Sequence, residues 1–340
     1  MNKKRRGSLR YLWILILVLF TVLFSAACSQ TGDSESRSGD QSDKQETSEN
    51  VKTEEAETQQ EESVPDDGRF HGEYIVTGEY ARDKVGDESV VFVDARGWKQ
   101  AALGTVKGAI ATSWTDLSTC EEGEAGDENW GKIPEPDDLA ERLGELGISK
   151  SKEIILIANT IDGWGDDARI LWELLAAGYK DVKMIDGGYQ AAKEAGIETQ
   201  FLASGSNPCE VEIDEIDDTH IMTTEELQKN YDQYKIVDVR TEDEYNGATP
   251  NGEAKGGHMP GAILIQYTDL FQEDGTLKPN KELETMFEAA GLDKEDKIVT
   301  YCTGGIRSAY AQLVLEMCGY ENTWNYDQSY WRWCIVGEVE

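Results

Sequence analysis

Histidine and positive charge are both scarce in this chain. Its 340 residues hold only His71, His220 and His258, far apart, and its six cysteines (Cys28, Cys120, Cys209, Cys302, Cys318 and Cys334) form no C-x-x-C pair. No spacing here matches a zinc or haem site, so no metal and no other cofactor is expected. Lys and Arg number 32 against 67 Asp and Glu, a formal charge of -35. Lys3, Lys4, Arg5, Arg6 and Arg10 put +5 on the first 27 residues, which leaves about -40 on the rest. Such a surface repels nucleic acid and anionic lipid, which excludes nucleic-acid partners, and it repels anionic substrates at long range. Any anion site must therefore be local, built from backbone amides and one or two arginines.

What is present begins with a three-part start: the basic MNKKRRGSLR, the apolar YLWILILVLFTVLF, then SAAC. This order reads as an export signal over residues 1–27, its apolar stretch short for a membrane span. Small residues before a cysteine resemble a bacterial lipoprotein box. That resemblance implies lipidation of Cys28 and attachment to the cell membrane on its extracytoplasmic face, although Ser25 stands where the box usually has leucine. An uncleaved N-terminal anchor gives the same tethering. Residues 28–68 are rich in Ser, Thr, Glu, Gln and Asp, with too little apolar surface to offset ordering entropy, and are expected to be a disordered acidic linker kept extended by charge repulsion. An exported setting permits disulfides, Cys120 with Cys209 for example, but connectivity stays open.

Beyond the linker the sequence repeats itself. VVFVDARGW (90–98) returns as YKIVDVRTE (234–242), GTVKGAI (104–110) as GHMPGAI (257–263), and KEIILIA (152–158) as DKIVTYC (296–302). Three pairs in one order, offset by roughly 140 to 155 residues, indicate a duplicated domain. The apolar pattern lapses around SGSNPCEVEIDEIDD, so the reading is domain 1 over 69–202, a linker over 203–218 and domain 2 over 219–340. Short β-branched runs (90–93, 154–157 and 182–185; 236–239, 263–265 and 298–301) alternate with helical patterns. Each copy is therefore expected to be α/β, a parallel sheet with helices on both faces. Tyr310, Leu313, Val314 and Met317 mark the core stripe of a helix starting near Ser308.

YCTGGIRSAY (301–310) places Cys302 at the carboxyl end of a buried strand, where α/β sheets bind ligands. Thr303, Gly304, Gly305 and Ile306 must curl before the helix, and two glycines permit consecutive N–H groups to face one concavity near the positive end of the helix dipole. A thiolate there is stabilised, its pKa depressed from an ordinary value of about 8.5, and the expectation is a sulfur both charged and accessible.

Cys-x-x-Gly-x-Arg after a strand, preceded by VDVR and GHMPGA and followed by NYDQSYWRW, resembles the rhodanese homology domain, and the span from about residue 70 onward is similar to the tandem-domain sulfurtransferases of thiosulfate or 3-mercaptopyruvate. The resemblance implies that Cys302 attacks the outer sulfur of a small donor, holds it as a persulfide and passes it to a thiol or cyanide. It implies that the amides of Thr303, Gly304, Gly305, Ile306 and Arg307 cradle that sulfur, and that Arg240 sits near the pocket as a substrate-binding residue. Arg307 has two open roles, gripping the donor's anionic group or bracing the loop against a carboxylate. Asp238, Asp94, Arg96 and His258 are expected to serve structure, and Trp324, Tyr326, Tyr330, Trp331 and Trp333 to pack the core. Glu244 stands where the thiosulfate enzymes carry a second basic residue, which implies a weaker grip on a dianion. Ala158, or Asn159 with a one-residue slip, takes the cysteine's place in the first copy, so domain 1 is expected to be catalytically silent.

Phosphatase and arsenate reductase loops also combine cysteine, arginine and amides, but put five residues between Cys and Arg where this chain has four. A non-catalytic binding module is the alternative from another class. A low-pKa thiol outside the cytoplasm is prone to oxidation, which implies a reducing protein partner or an anaerobic setting.

Overall fold

The computed structural model describes residues 67–340 together with Pro65. The signal-like start, Cys28 and most of the acidic linker lie outside the described residues.

The β-branched runs form buried strands: β1 (Ile75–Val76), β2 (Val90–Asp94), β3 (Thr105–Val106), β4 (Ile110–Ala111), β5 (Glu153–Ile157), β6 (Val182–Ile185) and β7 (Thr199–Gln200) in the first domain. The second domain has β8 (Lys235–Asp238), β9 (Ile263–Leu264), β10 (Ile298–Tyr301) and β11 (Thr323–Asn325). One sheet runs β1-β6-β5-β2-β4 and the other β11-β10-β8-β9, with every neighbouring pair parallel. Central strands of such sheets are covered on both faces, which is why EIILI and IVTY read as nearly unbroken apolar runs. A short antiparallel ribbon joins β3 to β7.

The copies share register down to single hydrogen bonds. Asp94 lies opposite Ile157 across β2 and β5, as Asp238 lies opposite Tyr301 across β8 and β10. The Ala95 amide donates to Ile157 O at 2.9 Å, and the Val239 amide to Tyr301 O at 3.0 Å. One residue on, Ala158 O accepts from the Tyr189 amide as Cys302 O accepts from the Tyr330 amide. Ala158, not Asn159, is thus the counterpart of Cys302.

Each central strand leads through a loop into a helix, Asp166–Ala176 in one copy and Ile306–Met317 in the other, and these two helices pack against each other between the sheets. That contact changes the expected stripe. Residues 306–315 are buried on every face, because one side of the helix meets its own sheet and the other meets the partner domain. The helix also starts at Ile306, two residues ahead of the expectation, since Gly305 takes a left-handed turn (φ 84°) directly before it. Tyr310, Leu313, Leu171 and Trp172 belong to one core that runs through the interface.

Residues 201–219 contain no regular element and run back along the first domain, with Ser204, Cys209 and Asp217 amides donating to Ala109, Gly144 and Ala176 carbonyls. Near the start, the His71 amide donates to Asn280 Oδ1 and the Asn280 amide nitrogen to His71 O, both at 2.8 Å, which ties the entry segment to the second domain. Among the described residues no helix is long and apolar enough to cross a membrane. Cys120, Cys209, Cys302, Cys318 and Cys334 are all free thiols, so the Cys120–Cys209 pairing left open above is not formed.

Candidate active site

Cys302 follows the last residue of β10, and the chain turns through Thr303, Gly304 and Gly305 into the helix. Its sulfur accepts the Gly305 N–H at 3.2 Å and faces the Ser308 hydroxyl at 3.6 Å. Ser308 is held by Asn325 Oδ1 at 2.7 Å, and Asn325 Nδ2 donates to Gly305 O at 3.2 Å, so β11 sets the shape of the loop. On the other side the Cys302 amide donates to Ser329 Oγ at 3.0 Å, whose hydroxyl donates to Tyr326 O at 2.7 Å. Ser329 adopts φ 50°, a left-handed conformation unfavourable for a non-glycine residue and held here by those two bonds. Asn325 and Ser329 carry no local sequence signal, and Ser308 is marked there only as the expected start of the helix.

Burial pushes the Cys302 thiol up, yet the Arg307 charge, the Ser308 hydroxyl and the loop amides more than offset it, and the net direction is down from an ordinary value of 9.0. The site therefore favours a thiolate. It is not open, however: Cys302 has 0% exposure, which corrects the expectation of an accessible sulfur. The cover comes from packing invisible in the loop's own sequence. Trp331 lies so close over Gly304 that a Cβ there would collide with its ring, and a Cβ on Gly305 would strike Asp327 O and Arg169 Nη1. Arg169, from the first domain, reaches Gly305 O at 3.3 Å and Gly131 O at 2.9 Å.

Arg307 resolves its two open roles in favour of the brace. Nη1 donates to Glu244 Oε2 and Nη2 to Glu244 Oε1, both at 2.8 Å, and Nη2 also donates to Thr303 Oγ1 at 2.8 Å. Thr303 in turn donates to Glu244 Oε1 at 2.9 Å, and Asn251 Nδ2 to the same oxygen at 3.2 Å. Burial alone would raise the Glu244 pKa, but the Arg307 fork and the Thr241 capping bonds bring it down to about 2. Ile306 is buried core.

Arg240, expected near the pocket, is engaged by its own sheet and turn. It is fully buried, bonded to Asp238 by Nε (3.0 Å) and Nη2 (2.7 Å), to Gly257 O by Nη2 (2.8 Å), and stacked 3.9 Å from the Tyr330 ring. Arg96 repeats the arrangement with Asp94, Gly104 O and Tyr189. A set occurring identically in the copy with alanine at the cysteine position is a structural clamp between sheet and turn. His258 stacks on Tyr245 with ring centroids 3.7 Å apart, also a turn contact. The aromatic group divides: Tyr326, Tyr330 and Trp333 are buried core, whereas Trp331 covers the loop and meets Trp130 edge-on at 5.1 Å. Among the described residues no cluster of His, Cys, Asp and Glu is arranged to hold a metal ion.

The rhodanese-like domain profile matches residues 77–195 and again 223–335. The 3-mercaptopyruvate sulfurtransferase of Mus musculus is 24% identical over 212 residues, which is 61% of this chain and 71% of that protein. The thiosulfate sulfurtransferase of Corynebacterium glutamicum is 24% identical over 278 residues, 77% of this chain and 88% of that one. Among solved structures, the anaerobic ergothioneine biosynthesis enzyme from Chlorobium limicola, in complex with trimethyl histidine, matches with a TM-score of 0.69 at 19% identity over 79% of this chain and 70% of that one, a likeness of fold.

Proposed function

The chain belongs to the rhodanese-like domain family in both of its halves, and on that premise we propose that its second domain transfers sulfane sulfur through a persulfide on Cys302. Its relatives include 3-mercaptopyruvate and thiosulfate sulfurtransferases. The Cys302 thiolate attacks the terminal sulfur of a donor. The bond between that sulfur and the rest of the donor breaks, the departing fragment keeps the electron pair, and a new S–S bond forms on Cys302. A thiol or cyanide then attacks the terminal sulfur and restores the thiolate. Two sequential displacements need no oxidant and no metal.

The observation that carries this reading is the Gly305 N–H aimed at the Cys302 sulfur at 3.2 Å, in a loop whose charge arrangement lowers the thiol pKa. An amide already in place for a thiolate suits equally the terminal sulfur of a persulfide, and preorganised donors of this kind are worth about 3 kcal/mol each in other enzymes. The first domain, with Ala158 at the equivalent position, contributes Arg169 and the surface against which the loop is held. Complete burial of Cys302 is the one observation favouring a non-catalytic binding module, because a donor must displace part of the cover to reach sulfur.

Intact-mass analysis after incubation with thiosulfate, 3-mercaptopyruvate and organic persulfides tests the proposal. One added sulfur, mapped to Cys302, removed by cyanide and lost in Cys302→Ser, is the expected result. No added sulfur from any donor would favour the binding module.

A further inference from the structure

Three arginines at or beside the loop each have their own carboxylate. Arg307 is held in a two-pronged pair by Glu244, Arg240 by Asp238 and Arg169 by Glu173 at 2.8 Å. The remaining guanidinium contacts at Arg169 and Arg240 go to backbone carbonyls of Gly305, Gly131 and Gly257. Beside these pairs stand the Cys302 thiolate and two further buried acids, Glu253 and Asp327, the latter pushed up by burial toward its neutral form. Glu253 meets Asn251, which bonds Glu244, and Asp327 packs its carbonyl against Gly305. Arg332, next to Trp331, bonds only the Gly126 carbonyl, but the loop itself holds no unpaired cation for an incoming dianion.

The same sign continues outward. Residues 120–131 of the first domain form an irregular strap against the helix Ser329–Val336: Gln328 Nε2 donates to Glu128 O at 2.7 Å, Arg332 Nη1 to Gly126 O at 3.2 Å, and Trp130 meets Trp331. Glu121, Glu122, Glu124, Asp127 and Glu128 on this strap are exposed. The strap therefore brings exposed carboxylates beside the cover of the loop, with Glu121 paired to Arg142. Apolar surface is nearby, since Trp331 lies on Gly304 and the Arg307 guanidinium sits 5.9 Å from the half-exposed ring of Trp164. A field of this sign lowers the local concentration of anions and raises that of cations, and its effect on encounter weakens with salt.

Resting on the sulfurtransferase reading, we infer that Cys302 takes sulfur from an organic persulfide whose organic part carries no negative charge, an amine-bearing R–S–SH above all, and that Glu244 sets this preference by neutralising the loop arginine. The thiolate attacks the terminal sulfur of R–S–SH, the donor S–S bond breaks as the new one forms, and R–S⁻ leaves and takes up the proton released from the persulfide. Thiosulfate, carrying two negative charges toward a third, is discriminated against.

Three persulfides of matched chemistry separate charge from intrinsic reactivity: those of cysteamine, N-acetylcysteamine and 3-mercaptopropionate, whose organic groups are cationic, neutral and anionic, with thiosulfate as a fourth donor. Initial rates of sulfur appearance on Cys302 should fall in that order, by about tenfold per unit of charge at low ionic strength, and the spread should narrow in high salt. Glu244→Gln should flatten the series by raising the anionic donors relative to the cationic one. The wild-type series and its salt dependence decide the matter even where that variant folds poorly. Equal rates across the three persulfides, or faster loading from thiosulfate, would overturn the preference and leave sulfur transfer standing. Absence of sulfur on Cys302 from all four would overturn both.

Discussion

Glu244 and Cys302 sit in one polar cluster and titrate under the same balance. Burial opposes the charged form of both, and Arg307 favours it in both. For Glu244 the carboxyl falls from 4.5 to about 2. The sign follows from linkage: a carboxyl whose folded pKa is depressed adds stability above its unfolded value, lost as pH falls through the folded one. Glu244→Gln should therefore lower unfolding free energy by about 3 kcal/mol at pH 7, the range for a buried arginine left without its partner, with the gap closing between pH 4.5 and 2. Urea titrations of both proteins at pH 7 and pH 3 measure this. A variant as stable as the parent at pH 7 would mean that Arg307 finds another partner. At this scale the sequence identified the cysteine, the glycines and Arg307. It marked Glu244 only as a departure, since a carboxylate 63 residues from Arg307 cannot be paired with it by local pattern.

The paired helices Asp166–Ala176 and Ile306–Met317 carry the link between the domains, and the first begins with two acids turned toward the second. Burial pushes Asp167 up to about 7, with the neighbouring Asp166 charge adding to it and the Ala168 amide opposing. Asp166 rises to about 6 for the same first reason. Tyr267 and Tyr310, also buried, both feel the Asp167 charge. Here the sign is reversed. A carboxyl whose folded pKa lies above its unfolded 3.8 adds stability at low pH, lost as pH rises through 6 to 7. Melting temperature should therefore decline from pH 5.5 to pH 8, and Asp167→Asn should weaken the decline and stabilise the protein at pH 8 by on the order of 2 kcal/mol. A calorimetric series across that range checks it, and an unchanged slope in the variant would remove Asp167 as the cause. The helical pattern predicted one stripe on each helix. Burial around the whole circumference of residues 306–315 required knowing that a second domain packs on the far side.

For the molecule as a whole, duplication placed the cysteine loop on one copy and a brace on the other. The first domain supplies Arg169, Trp130 and the acidic strap to a site whose sulfur it does not carry. Separating residues 219–340 from it would expose the outer face of the helix 306–317, including Tyr310, Leu313 and Val314. At about 25 cal/mol per Å² of apolar surface, a few hundred Å² left in water is a loss of several kcal/mol, comparable to the stability of a small domain. The isolated half should show a broadened or absent thermal transition and bind a hydrophobic dye, read by differential scanning fluorimetry. A sharp transition near that of the full chain would show the second domain to be self-sufficient.

The parallel α/β architecture, its duplication and the position of the sulfur were determined by sequence alone, because strand patterning and a Gly-rich turn after a buried run are local properties repeated in two places. Enclosure of Cys302, the Glu244–Arg307 pair and the withdrawal of Arg240 into a clamp were decided only by tertiary structure. Each depends on distances between residues far apart in the chain, and the energy of a charge or a thiol is set by whatever neighbour folding brings within a few ångströms.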